Sequence, residues 1–247
     1  MKERKRSYNY LALFNLYLAN IFQKSTFIVL FISLIAMVIG VYFSSNPYFE
    51  LIDYLKNENE FHYLYYHQGL MIIEIFNAII IATLTIRLIV SSKSFDSLFI
   101  SYIGKRRLSI IKLLVAILII FMITIFECII INVIGLIRYK NYKLDINGFI
   151  SFLYLFLLIL FELIISFNVT ELINNIFSPM IILFISVIYK IIVSNYNVIK
   201  DYTKLFIPNL SFDYKTMCLT INNPLILGIW ILSFVFIYME IYSIKDL

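Results

Sequence analysis

Five ionisable residues interrupt the apolar stretches of this chain: Glu74, Arg87, Glu127, Glu162 and Glu240. A charge at the centre of a bilayer costs about 3 kcal/mol even on the mildest scale, so such residues mark functional sites by default. Their depths differ. Arg87 and Glu240 lie near the ends of apolar stretches, where a long side chain can reach the headgroups. Glu74 is about a turn and a half from an end and can also reach water. Glu127 and Glu162 fall near the middle of theirs, so they must point into protein, hydrogen-bonded or protonated. Lining a substrate or proton path and holding helices together are both open to them.

Other chemistry is missing. His62 and His67 sit five apart in a polar segment with no Cys nearby, and no HExxH helix is present, so the sequence offers no metal site. No GxSxG elbow accompanies any Ser. Gly104-Lys105 lacks the upstream Gly and the following Ser or Thr of a phosphate-binding loop. Cys128 and Cys218 make neither a disulfide framework nor a metal spacing. The chain does not read as an enzyme, and no cofactor is expected on it.

The other feature is the stretch SKSFDSLFISYIGKRRLSIIKLL, Ser92 to Leu114. Phe95, Leu98, Phe99, Tyr102 and Ile103 recur at i, i+3, i+4, i+7 and i+8. Asp96, Ser97, Ser101 and Lys105 take the other face. The spacing predicts a short amphipathic helix, a turn at Gly104 and a basic cluster of Lys105, Arg106 and Arg107. Topology alone accounts for it as an interfacial anchor; a handle for a partner accounts for it equally.

These residues need elements to hold them. Of the 247 residues, 62% are hydrophobic and only 14% charged, and the mean hydropathy is +0.92. A soluble domain keeps roughly a quarter of its residues charged, so lipid must solvate most of this chain. Aromatic residues make up 17% and Gly and Pro are scarce, which excludes extended disorder. The class is an all-α polytopic membrane protein, read as one domain over residues 1–247. A span needs about 20 mainly apolar residues. Six stretches qualify: Phe27–Phe43, Gly69–Val90, Leu113–Ile137, Phe149–Phe167, Pro179–Val193 and Pro224–Ile241. Pro179 and Pro224 suit a first helical turn, where a missing N–H costs nothing.

Before the first span, Tyr10, Leu13, Phe14, Tyr17, Leu18 and Ile21 form one apolar stripe, with Asn9, Asn20 and Lys24 elsewhere. A helix lying in the headgroup plane or an extension of span one both fit. With the N-terminus inside, the inner segments hold Lys2, Arg4, Lys5, Arg6, Lys24, Lys93, Lys105, Arg106, Arg107, Lys112 and Lys245. The outer loops hold Lys56, Arg138, Lys140, Lys143, Lys200, Lys204 and Lys215. The basic first flank sets both termini in the cytoplasm. The net charge of +5 is therefore read through topology, not nucleic-acid binding. The first outer loop, Ser44–Gln68, is acidic. MKERKRS, with no small-residue cleavage site after Phe27–Phe43, reads as the flank of an uncleaved span. Abundant Ile, Asn, Lys, Tyr and Phe hint at an AT-rich bacterial source.

The layout resembles the ABC-2 type transporter permeases, a family in which the segment between spans two and three reads E-x-x-x-G-T, then L-x-S-Y-P-[ILV]-S-R-x-x-[IL]-x-x-x-K. Here LFISYIGKRRLSIIKLL keeps Ser101-Tyr102, a basic residue at Arg106 or Arg107, and Lys112. It has Ile103 in place of the proline, and Asp96 and Ser97-Leu98 in place of the Glu and Gly-Thr. The resemblance implies that this segment is a coupling helix held by a separate P-loop ATPase subunit, which carries the ATP and Mg. It implies a second permease, identical or a sister chain, and export of a peptide or other amphipathic substrate, including the bacteriocin or lantibiotic immunity kind. Phe95, Phe99 and Tyr102 would then be the anchors in the ATPase groove, flanked by Asp96 and Leu98, with Lys105, Arg106 and Arg107 reaching groove carboxylates or anionic lipid. Two other classes stay open: an ion-coupled secondary transporter using Glu127 and Glu162, and a non-transporting sensor or immunity protein.

Overall fold

The computed structural model describes residues 2–44, 58–138, 146–173, 175–181, 184–185, 188, 210–213, 218–221 and 224–244. The described chain is built of helices: α1 (Lys2–Ile21), α2 (Lys24–Ser44), α3 (Glu58–Thr85), a π-helical turn (Ile86–Val90), α4 (Lys93–Ile103), α5 (Lys105–Arg138), α6 (Ile146–Ile173) and α7 (Pro224–Ile244). One short antiparallel hairpin is added, β1 (Leu210–Asp213) with β2 (Cys218–Ile221), pairing Leu210 with Ile221. It packs on α6 and lies in a segment that the sequence offers only as an outer loop.

Among the described residues, five helices are long and apolar enough to cross a membrane: Lys24–Phe43, Ile72–Val90, Lys105–Ile137, Phe149–Ile173 and Pro224–Ile244. They match the expected first, second, third, fourth and sixth stretches with ends shifted by a few residues, except that the third begins eight residues earlier. Most of Pro179–Val193 falls outside the described residues. So do residues 45–57 of the expected outer loop, whereas 58–68, with His62 and His67, are the first turns of α3 rather than irregular loop.

The middle of the bundle is α3 and α6, each with half of its span residues buried; α2 and α7 bury 28% and 17% and turn the rest outward. Phe31, Ile32 and Ile35 on α2 and Leu225, Ile229, Leu232 and Phe236 on α7 are exposed. In a chain with this composition that surface is solvated by lipid tails. Small residues let the backbones approach. A Cβ on Gly69 would come within 2.6 Å of Ile131 Cδ1, and one on Gly40 within 3.0 Å of Ile72 Cγ2.

Paired side chains fix the directions. Phe161 meets Phe234 and Phe167 meets Tyr238 at ring-centroid distances of 5.9 and 5.5 Å. Numbers rise together along both helices, so α6 and α7 run side by side in the same direction. Asn77 of α3 meets Glu127 of α5, and Thr85 of α3 meets Ser166 of α6. The start of α5 and the ends of α3, α6 and α7 therefore gather at one end of the bundle, together with α1. This is called the α1 end below.

Candidate functional site: a buried polar cluster at the α1 end

The backbone stays right-handed from α3 through the π turn. Ser91 closes that turn with a bond from its N–H to the Ile86 carbonyl (2.9 Å), and Ser91 and Ser92 both hold helical φ and ψ. The first true break is Gly104, at φ 84, which ends α4 and starts α5 after a single residue. Only Gly adopts that φ without a Cβ penalty. The turn predicted at Gly104 is there, and it is as short as a turn can be.

α4 presents a different face to the bundle from the one its apolar spacing predicts. Ser92 and Asp96 are buried, and Phe99, Ile100 and Ile103 pack on the core as half-buried residues. Ser94, Ser97, Leu98 and Ser101 are exposed, Leu98 by 66%. Asp96 is thus not on a solvent face, and Phe99 is half-buried against the core. Asp96 therefore departs from the polar face on which its spacing with Ser97 and Ser101 puts it. Leu98 does face outward, as do Arg106 and Arg107, while Lys105 is half-buried. The side chains of Phe95 and Tyr102 lie outside the described residues.

Asp96 can be buried because four donors meet it, three from other helices and one from Ser92, the N-cap of its own helix. The Tyr17 hydroxyl of α1 donates to Oδ1; the Lys112 ammonium of α5 and the Tyr242 hydroxyl of α7 (3.1 Å) donate to Oδ2. Ser92 Oγ stands 3.0 Å from Oδ2 and 2.6 Å from the Leu88 carbonyl, so one proton serves two acceptors. Asp96 also lies in the first turn of α4, where the helix dipole favours an anion. Lys112 and Asp96 form an ion pair with no exposed surface on either side chain. The ammonium sits over the Tyr242 ring at 4.7 Å and near the Tyr17 ring at 5.7 Å, a cation–π arrangement strengthened by loss of water. Burial first, then the Asp96 charge, push the Tyr17 phenol far above its ordinary range, so it stays a donor.

A collar surrounds this centre. Arg87 donates to Gln23 Oε1 (3.0 Å) and Ser25 Oγ (2.6 Å) at the α1–α2 corner, and its carbonyl accepts from Asn20 (3.1 Å). Asn20, off the α1 stripe, is therefore buried by a specific bond. The stripe itself packs inward: Leu13, Tyr17 and Ile21 are buried in the core, so protein covers it. Arg106 pairs with Glu240 at 2.6 Å, and Arg107 donates to Tyr10 at 2.7 Å. Arg87 and Glu240 hold partners here rather than only reaching for headgroups.

Halfway along the bundle, Glu127 is fully buried and accepts one bond, from Asn77 Nδ2 to Oε2 at 3.3 Å; Oε1 has no hydrogen-bond partner. Glu74 on α3 and Glu162 on α6 are half-buried and do not bond to Glu127. Among the described residues no group of three His, Cys, Asp or Glu side chains converges as a metal site.

Sequence reasoning missed Tyr17 and Tyr242 as members of the cluster. The signal in reach was Lys112: a Lys on an apolar helix face needs a carboxylate, and Asp96 is the first one that precedes it along the chain. No protein-family model and no curated protein matches the chain.

Proposed function

We propose that this chain is the membrane subunit of a bacterial exporter, driven by a separate ATP-hydrolysing subunit that grips α4 and the basic cluster behind it. The observation that carries the reading is the attachment of α4. A short helix with an exposed polar and Leu98 edge is tied through one side chain, Asp96, to α1, α5 and α7. A force on its outer edge reaches three helices without passing through a flexible linker. Interfaces and packed cores switch between discrete arrangements rather than deforming smoothly, so such a tie suits a lever.

The topology belongs to the same proposal. α6 ends at the α1 end, and α7, running the same way, begins at the opposite end. The connection from Ile173 to Pro224 must join opposite ends of the bundle, which supports Pro179–Val193 as a sixth span. The α1 end, with Lys105, Arg106 and Arg107, is then cytoplasmic by the distribution of Lys and Arg, and both termini lie there. Two copies, or this chain and a sister permease, would flank a path for a peptide or another amphipathic substrate.

The test is isolation of the tagged full chain from its native membrane in mild detergent, with ATP hydrolysis measured on the isolate. A P-loop ATPase should accompany it, and Leu98→Glu should remove at least 90% of that ATPase while leaving the amount of folded chain unchanged. Isolation with transport activity intact and no ATPase present overturns the reading. One observation favours a second reading, ion-coupled transport: Glu127 is a buried mid-membrane carboxyl with an unpartnered oxygen. Loss of transport in Glu127→Gln with ATP hydrolysis unaffected would favour it.

A further inference from the structure

The α1–α2 corner carries a cationic site that the polar cluster does not use. Arg87 stands three residues before the end of the span Ile72–Val90, and Lys24 opens the span Lys24–Phe43. Both therefore stand at the level where the apolar layer gives way to headgroups. Asn20 holds the backbone there by its bond to the Arg87 carbonyl, so the guanidinium leaves from a fixed point.

The bonds at this corner leave donors over. Arg87 commits Nη1 to Gln23 Oε1 (3.0 Å) and Nη2 to Ser25 Oγ (2.6 Å), whereas a guanidinium has five N–H donors in all. Both acceptors are neutral, and among the described residues no carboxylate pairs with Arg87. Because their oxygens face the guanidinium, Gln23 presents its amide N–H groups and Ser25 its hydroxyl proton to any further ligand. Gln23, Lys24 and Ser25 are exposed and Arg87 is half-buried. The first turn of α2 adds the positive end of its dipole. Donors grouped around a planar guanidinium fork match the oxygens of a phosphate, which takes parallel bonds from Arg.

Below the corner the surface is apolar. Ser25, Ile28, Val29 and Ile32 fall at i, i+3, i+4 and i+7, so they share one face of α2, and the three apolar members are exposed. On α3, Ile79 lies about two turns before Arg87 and is exposed as well. A soluble anion meets only the donors. A phospholipid meets both surfaces, its phosphate at the guanidinium and an acyl chain along Ile28 and Ile32. Arg87 and Lys24 also select among headgroups: a choline or ethanolamine ammonium would bring a third cation to the site, so a headgroup of net negative charge is preferred.

We propose that the α1–α2 corner binds an anionic phospholipid, with the headgroup phosphate on Arg87 and Ser25, Lys24 beside it, and an acyl chain on the Ile28–Ile32 face of α2. The bound phosphate completes the corner that joins α1 and α2 to the π turn. This goes beyond the proposed export function and holds whatever that function is.

The test is native mass spectrometry of the full chain released from detergent micelles that hold equal amounts of phosphatidylglycerol and phosphatidylcholine with the same acyl chains. The chain should retain phosphatidylglycerol in preference, and Arg87→Gln and Lys24→Gln should each lower that preference about fivefold. Arg106→Gln removes a charge that Glu240 already meets, and should lower it by less than about twofold. No loss in Arg87→Gln overturns the proposal; should that variant fail to fold, no loss in the exposed Lys24→Gln does so. Equal losses in Arg106→Gln and the corner variants also overturn it, by making the attraction one of overall charge. Displacement of the retained lipid by inorganic phosphate at equal concentration overturns the lipid assignment and makes the corner a site for soluble anions.

Discussion

Two of the buried carboxyl side chains, Asp96 and Glu127, are treated in opposite ways. At the α1 end Asp96 is surrounded by donors on three other helices and at its own helix cap, and it faces a cation. At mid-bundle Glu127 has one long bond from an amide and an oxygen with no hydrogen-bond partner. Position along the helices explains the difference. α5 has 34 residues, about 51 Å at 1.5 Å per residue, against a hydrocarbon core of about 30 Å. Its first turns, with Lys112, can stand at the edge of the apolar layer, where assembling an ion pair during folding is feasible. Glu127 is in the middle, where a lone carboxyl is tolerated as a neutral acid. A buried charge and a buried acid are thus different structural objects, even when both side chains show no surface.

The comparison breaks most visibly when one member of the ion pair is lost. Lys112→Met leaves Asp96 buried without its cation and should cost about 3–5 kcal/mol, read as unfolding at lower denaturant in mixed micelles. Removing both charges, Asp96→Leu with Lys112→Met, should recover most of that loss, because well-packed apolar replacements of buried pairs are often neutral. A double variant as unstable as the single one would mean that the tyrosine and serine donors to Asp96 matter more than the pair.

The next effect is at alkaline pH. Tyr17 must stay protonated to donate to Asp96, and its phenol is held above the unfolded range by burial and by Asp96. Its contribution is complete below the ordinary phenol pKa of about 10 and is lost as pH rises above that. Tyr17→Phe should flatten the alkaline limb of a stability–pH profile; an unchanged limb would remove Tyr17 from the cluster's energetics. The mid-bundle acid should respond far less. Glu127→Gln should change stability by less than about 1 kcal/mol, the scale of one net hydrogen bond. A larger loss would place an ionised carboxylate there. Smallest is Arg106→Ala, which breaks an exposed pair with Glu240. Its effect should be about 0–1 kcal/mol and should vanish when the salt concentration is raised.

Much of this frame was legible in the sequence, because hydrocarbon imposes a simple rule. Apolar runs of sufficient length give the spans, Gly104 gives the break, and a mid-span Glu must face inward. The face of α4 was not legible. Spacing puts Phe95, Leu98 and Phe99 on the apolar side and Asp96 on the wet side, a sound inference when no counter-charge is in view. What reverses it lies 79 residues upstream in Tyr17, 16 downstream in Lys112 and 146 downstream in Tyr242. A single long-range ion pair with two phenols outweighs the local pattern, and Leu98 is rotated outward as a result. The α1 stripe was legible as a stripe; that protein rather than lipid covers it was not.

The π-helical turn at Ile86–Val90 carries a further consequence. Each residue of an α-helix advances the phase by about 100°, and a π turn holds one residue more than an α turn. The backbone remains helical through Ser91 and Ser92, so this surplus residue acts as an angular offset on everything that follows. Deleting one residue from the turn would rotate α4 by roughly a quarter revolution, carrying Asp96 off its donors and turning the Leu98 edge elsewhere. The azimuth of the whole segment, and with it which residues a neighbour meets, is written in the length of this five-residue turn.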